Sequence, residues 1–272
     1  MTADLAPRLV SGVVMAGLAL AALYAGGDFF VVFWGMAALA VFWEWHRIVG
    51  GPRPVARLCV GWLAVVSAAW FARQASIDAA VLSILAGALA LAFLGGAGRR
   101  AWNAFGVVYA GSLIVATVGL GLSLEGYHAI LWLFALVWGA DTMAFAGGRL
   151  IGGPKLWPRV SPGKTWSGFI VGVCGGTILG LAALYASDGV AANSWAWLVG
   201  VGLCAAMVSQ GGDLFESAVK RRFDVKDSSH LIPGHGGFMD RLDGFIAASV
   251  FVALLGAARG SSLQMAIGAL RW

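Results

Sequence analysis

Apolar residues run through this chain in long stretches, broken by short polar segments rich in Gly, Pro and Arg. A helical bilayer crossing takes about 20 apolar residues. By that measure nine stretches qualify: roughly residues 9–26, 29–46, 58–72, 79–97, 104–123, 128–147, 168–187, 195–212 and 244–258. The third and ninth are short. The expected fold class is an all-α polytopic integral membrane protein with about nine transmembrane helices. The first stretch follows Arg8 and imitates a signal peptide, but the many stretches behind it make it the first span.

Composition narrows the class further. The chain has 272 residues, 60% of them hydrophobic and 11% charged. A soluble domain of this size needs a polar shell that these residues cannot supply. An ordinary cytosolic enzyme, a disordered protein and a secreted disulfide scaffold are excluded. The net charge of +5 says less than where the charges lie. With the N-terminus in the cytoplasm, the cytoplasmic segments carry Arg8, Arg47, Arg53, Arg57, Arg99, Arg100, Arg149, Lys155, Arg159, Lys164, Lys220, Arg221, Arg222, Lys226 and Arg241. These are 15 of the 18 basic residues. Only Arg73, Arg259 and Arg271 fall on the other side, an asymmetry that follows the positive-inside rule. The charge therefore speaks for topology, and no nucleic-acid partner is expected. The compact chain, with Arg over Lys and abundant Ala and Gly, suggests a bacterial inner (cytoplasmic) membrane.

Smaller features fit packing and anchoring. The 40 Gly residues let helices approach closely and are compatible with a homodimer. Trp43, Trp45, Trp102 and Trp195 sit near span ends, as interfacial anchors do. Cys59, Cys174 and Cys204 read as buried small hydrophobes. Glu44, at the end of the second span, is placed to pair with Arg47 three residues on.

Candidate chemistry is confined to the second half. Asp141 lies in the sixth span, and a carboxylate inside a membrane is costly enough to suggest function. The alternative is that this span ends early and leaves Asp141 at the interface, paired with Arg149. Residues 147–168 follow as a Gly- and Pro-rich loop whose four cations, with Ser161 and Thr165, could hold phosphate. Gly163-Lys164-Thr165 is not a P-loop: position 158 is Pro where that motif needs Gly, and no strand precedes it.

The segment 210–244 is denser in charge. If the eighth span continues as a helix beyond its apolar part, Asp213, Ser217 and Lys220 share one face. The loop Pro233-Gly-His-Gly-Gly237 can bring backbone N–H groups to phosphate, with His235 placed for substrate and His230 solvated. Asp240 and Asp243 share a face at the start of the ninth span. Two acidic clusters flanking one loop suit Mg²⁺ or Mn²⁺ rather than zinc, which would want His or Cys at short spacing. The residues alone thus suggest a Mg²⁺-dependent site for a phosphorylated substrate at the cytoplasmic membrane face.

The same run resembles the signature of the phosphatidate cytidylyltransferases, or CDP-diacylglycerol synthases. The match comprises Ser217, Lys220, Arg221, Lys226, Asp227, Ser229, Pro233, His235, Gly236, Gly237, Asp240, Arg241 and Asp243. Upstream, Asp141-Thr142, Gly148-Arg149 and Ser161-Pro-Gly-Lys-Thr-Trp166 also fit, with Phe145 where Tyr is common and Ser167 where Glu is common. The resemblance covers the C-terminal half; the first five spans carry only hydropathy. It implies transfer of the cytidylyl group of CTP to phosphatidic acid, releasing pyrophosphate, at a Mg²⁺ site with Mn²⁺ as a substitute and a second, monovalent cation in the family. By matching positions it implies Asp213 and Asp240 as metal carboxylates, with Asp243 and Asp141 as further candidates. Ser217 and Lys220 would be active-site residues. Lys164, Ser161, Arg221, Lys226, His235, Gly236, Gly237 and Arg241 would bind substrate. The chain then divides into N-terminal spans, 1–127, and a catalytic membrane region, 128–272, with cytoplasmic loops 148–167 and 213–243.

Overall fold

A computed structural model describes residues 5–188, 194–232 and 236–271, with side chains from residue 10 onward. In chain order the elements are α1 (Leu5–Ala25), α2 (Gly27–Val49), α3 (Pro54–Arg73), α4 (Ile77–Leu94), α5 (Arg100–Gly121), α6 (Gly126–Leu150), β1 (Lys155–Trp157), β2 (Ser161–Thr165), α7 (Trp166–Ala186), α8 (Trp195–Arg222), α9 (Met239–Arg259) and α10 (Met265–Leu270). Among the described residues, eight helices are long and apolar enough to cross a membrane, and Val10–Ala25 is a shorter apolar helix. Each expected span has its helix. The chain is a nearly all-α polytopic integral membrane protein.

α8 continues past its apolar stretch to Arg222, as the shared face of Asp213, Ser217 and Lys220 requires. Two features depart from the sequence pattern. The Gly- and Pro-rich segment after α6 is not a plain loop: β1 and β2 pair antiparallel, Lys155 with Thr165 and Trp157 with Ser161. α10, with 6 residues, is too short to register as an apolar run.

The helices fall into two compact units. One comprises Met1–Leu122 with Phe223–Leu242. In it the α2 side chains Phe42 and Trp45 press into gaps left by Gly61 of α3 and Gly106 of α5, where any added Cβ would collide. Trp45 is not an interfacial anchor. It is 1% exposed, and its Nε1 donates to the Trp102 carbonyl at 2.8 Å. Arg57 is likewise no free topology charge. Its buried guanidinium donates to the carbonyls of Gly50, Gly51 and Pro52 at 2.7–3.0 Å and to Asn103 Oδ1 at 2.5 Å. It gathers the carbonyls of the turn that follows α2, which have no helical partner. Arg73 pairs with Asp28 at 2.5 Å.

The other unit comprises Ser123–Arg222 with Asp243–Trp272. Its seam is α6 against α7. Gly172 and Gly176 face α6 so closely that a Cβ would lie 2.8 Å from Ala140 O and 2.6 Å from Leu136 O. Gln210 Nε2 donates to Phe169 O at 3.0 Å and ties α8 to α7. Arg271 pairs with Glu125, and the Arg259 guanidinium lies 4.0 Å over the Trp197 ring. All three arginines that the charge pattern sets apart thus have a carboxylate or a ring partner. Cys59, Cys174 and Cys204 are exposed, not buried. In a membrane protein an apolar residue can face lipid as readily as the core.

Candidate active site

Within the second unit the hairpin and three helices bring charged groups together. Thr165 ends β2 and caps α7, its hydroxyl oxygen accepting from Gly168 N at 3.1 Å. That cap sets the entry of α7 and holds Lys164 just ahead of it. Lys164 Nζ lies 2.6 Å from Asp213 Oδ2, with 23% and 35% of the two side chains exposed. α8 is helical through this region, so Ser217 stands one turn on, and its Oγ is 3.4 Å from Asp213 Oδ1.

Asp243 enters from α9. Here the helices are forced close by glycine. A Cβ on Gly212 would sit 2.6 Å from Asp243 O, and one on Gly244 2.7 Å from Ser209 Oγ. Asp243 Oδ1 accepts from Gly244 N at 2.7 Å, and the carboxyl interacts electrostatically with Asp213, Asp141 and Lys164. Asp141 lies on α6, which continues to Leu150. Arg149 is over the Phe145 ring at 6.0 Å. Lys220, on the same helix as Asp213, pairs with Glu216 Oε2 at 2.7 Å; that buried carboxylate was not singled out from sequence.

The segment 223–242 belongs to the first unit. Asp240 Oδ2 accepts from Ser228 N at 3.0 Å, Ser228 Oγ at 2.8 Å and Gly237 N at 2.8 Å. Gly236 has φ of 83°, a conformation that glycine adopts without penalty, and its carbonyl accepts from Ile232 N at 2.8 Å. Glu44 does not serve Arg47, whose guanidinium lies 4.7 Å over the Trp43 ring. Its carboxylate is buried against this segment, accepting from Ser228, Ser229, Phe238 and Met239. Arg221, Lys226 and Arg241 are exposed, and Ser161 on β2 is half-buried. His235 lies outside the described residues.

What can such a site do? A lysine ammonium on one carboxylate, a second carboxylate within electrostatic reach and a hydroxyl nearby suit an anionic ligand that brings its own phosphates. The comparison with known proteins settles the class. A family model described as "Cytidylyltransferase family" matches residues 6–258. The chain belongs to this family. It is a nucleotidyltransferase. Similar proteins include the phosphatidate cytidylyltransferase of Brucella abortus biovar 1 (strain 9-941), 37% identical over 256 residues that cover 93% of this chain and 94% of the relative. That of Brucella suis biovar 1 (strain 1330) matches to the same degree. The phosphatidate cytidylyltransferase of Staphylococcus aureus (strain COL) is 46% identical over 138 residues, 48% of this chain and 52% of the relative. The first two matches span nearly the whole chain, including the N-terminal helices that showed only hydropathy.

Proposed function

We propose that this cytidylyltransferase transfers the cytidylyl group of CTP to phosphatidic acid, giving CDP-diacylglycerol and pyrophosphate at the cytoplasmic face of a bacterial inner membrane. The observation that carries the reading is the Lys164–Asp213 pair, set beside Ser217 and Asp243. The names of the relatives supply the substrates.

The chemistry asks little covalent work of the protein. A phosphate oxygen of the lipid, already anionic at neutral pH, attacks the α-phosphorus of CTP. A new P–O–P bond forms, the bond from the α-phosphorus to the bridging oxygen breaks, and that oxygen leaves with pyrophosphate. No side chain needs to remove a proton from the nucleophile. The task is to position two anions and offset their charge. Lys164 is half-buried and already held by Asp213, so it presents an ordered ammonium to the nucleotide phosphates. The basic residues clustered toward one side of the membrane would attract an anionic lipid.

Magnesium suits the donors present. Among the described residues no three His, Cys, Asp or Glu side chains are arranged to hold a metal ion by themselves. Mg²⁺ does not require that; it commonly binds through one or two carboxylates and substrate phosphates while keeping waters. Asp213 and Asp243 would hold it, with Asp141 nearby. Bound there, it would supply charge neutralisation for the phosphates and the leaving pyrophosphate. Asp240, whose Oδ2 already receives Ser228 and Gly237, serves in this reading to fasten the segment it closes.

The test is product stoichiometry. Purified protein in detergent micelles, given phosphatidic acid, CTP and Mg²⁺, is expected to release one pyrophosphate per CDP-diacylglycerol and no CDP. Release of CDP with a newly phosphorylated lipid would mean γ-phosphoryl transfer and would overturn the reading. In the same assay Lys164→Ala is expected to raise KM for CTP about tenfold and to lower kcat, since the lost ammonium acts on both bound nucleotide and leaving group. Wild-type KM and kcat would remove Lys164 from the site.

A further inference from the structure

We infer that Glu44, on α2, is a positioning residue for cytidylyl transfer: it holds the segment that carries Lys226, Ser229, Gly236 and Gly237 in its working conformation. The inference rests on the proposed function for its readout, but its evidence lies within the first unit.

Glu44 is 0% exposed. Burying a carboxylate is costly unless its oxygens are satisfied. Here both are. Oε1 accepts from Ser229 Oγ at 2.5 Å and Phe238 N at 2.9 Å. Oε2 accepts from Ser228 Oγ at 3.0 Å and Met239 N at 2.6 Å. All four donors come from one short segment, and none from the helices that pack against α2. Two are backbone N–H groups at the start of α9, where a helix has unpartnered donors and favours a negative charge. The other two are adjacent serines, one of them in the signature.

The arrangement is more specific than core packing requires. Val41, Phe42 and Trp45 surround Glu44 on α2 as apolar core residues. An apolar residue at position 44 would avoid the desolvation cost. It would leave two hydroxyls and two backbone N–H groups without their acceptor. Ser228 Oγ also lies 2.8 Å from Asp240 Oδ2, so its one proton is shared between the Glu44 and Asp240 carboxylates and links the clamp to the Asp240 fastening. Gly237 runs between them with no room for a side chain. The clamped residues Ser228 and Ser229, with Asp227, His230, Trp43 and Arg47, also line a cavity of about 390 Å³. The pose of the segment therefore shapes a concave surface as well as the glycine turn.

Glu44→Ala removes all four acceptor contacts. Glu44→Gln keeps the shape and one acceptor oxygen but turns an NH₂ toward two donors. The expected order of kcat/KM is wild type, then Gln, then Ala, with Ala down about 100-fold, as for a catalytic segment displaced by about an ångström. KM for CTP is expected to rise about tenfold in the Ala variant. Loss of folded enzyme alone would lower kcat and leave KM unchanged, so KM is the deciding readout. Adding Ser229→Ala to Glu44→Ala is expected to cost little more, because the carboxylate that its hydroxyl meets is already gone. If wild type converts CTP and phosphatidic acid but Glu44→Ala keeps KM at the wild-type value, Glu44 is structural only and the inference fails. If wild type makes no CDP-diacylglycerol, the functional reading fails instead. Hydrogen exchange at the Phe238 and Met239 amides then still tests the clamp, and unchanged exchange in Glu44→Ala would overturn it.

Discussion

Asp213→Asn is expected to lower kcat by about three orders of magnitude while the protein stays folded and inserted. The substitution keeps the side chain's volume and removes its charge. Two consequences add. Lys164, now 2.6 Å from a carboxylate oxygen, loses the partner that orders it. The proposed metal pair also drops from two carboxylates to one. Folding should suffer little, since the Asp213 side chain is 35% exposed and its neighbours along α8 are unaffected. Steady-state kinetics across a Mg²⁺ titration provide the check. High Mg²⁺ should recover part of the nucleotide affinity but not kcat. Turnover within about tenfold of wild type would take Asp213 out of the metal and phosphate machinery.

Gly237→Ala is expected to cost at least about 100-fold in kcat/KM and to destabilise the protein by about 1–3 kcal/mol. The reason is steric before it is conformational. A Cβ at this position would collide with Ser228 Oγ and with the Glu44 carboxylate. The backbone would have to move away, and it carries the N–H that donates to Asp240 at 2.8 Å. Both fastenings of the segment would fail together. Gly200→Ala is the control. A Cβ there meets nothing within 4 Å, and alanine favours helix, so activity and thermal stability should hold or improve slightly. Near-normal activity in Gly237→Ala would show that the segment's geometry does not matter to the reaction.

The membrane architecture was legible because hydropathy is a local property. About 20 consecutive apolar residues declare a span without help from distant partners. The continuation of α8 was also legible as a condition: the spacing of Asp213, Ser217 and Lys220 has a meaning only on a helix, and α8 runs to Arg222. The hairpin was not. Gly and Pro in residues 147–168 are turn formers, and nothing local distinguishes an irregular loop from two short strands that meet only when Lys155 faces Thr165.

Glu44 shows the same limit at the site. Its local neighbour, Arg47, offered a plausible helical ion pair. Its actual partners are 184 to 195 residues away in sequence. The one available signal was an acid within an otherwise aromatic and aliphatic stretch, which is expensive in a membrane and invites a search for a distant partner. Trp45 misled for a related reason. Position near a span end suggests an interfacial anchor, but a tryptophan there can equally fill a gap left by a glycine on the next helix. Lys220 pairs with Glu216, a buried acid one turn before it on α8.

The measurement that tests the central claim most directly follows one atom. CTP labelled at the α-phosphorus is incubated with the purified protein, phosphatidic acid and Mg²⁺ in detergent micelles, with Asp213→Asn run beside it. Label is expected to enter the lipid fraction as CDP-diacylglycerol, matched by unlabelled pyrophosphate and nearly absent in the variant. Label that remains in water-soluble nucleotide, with folded protein and across a range of metal concentrations, would contradict cytidylyl transfer to the lipid.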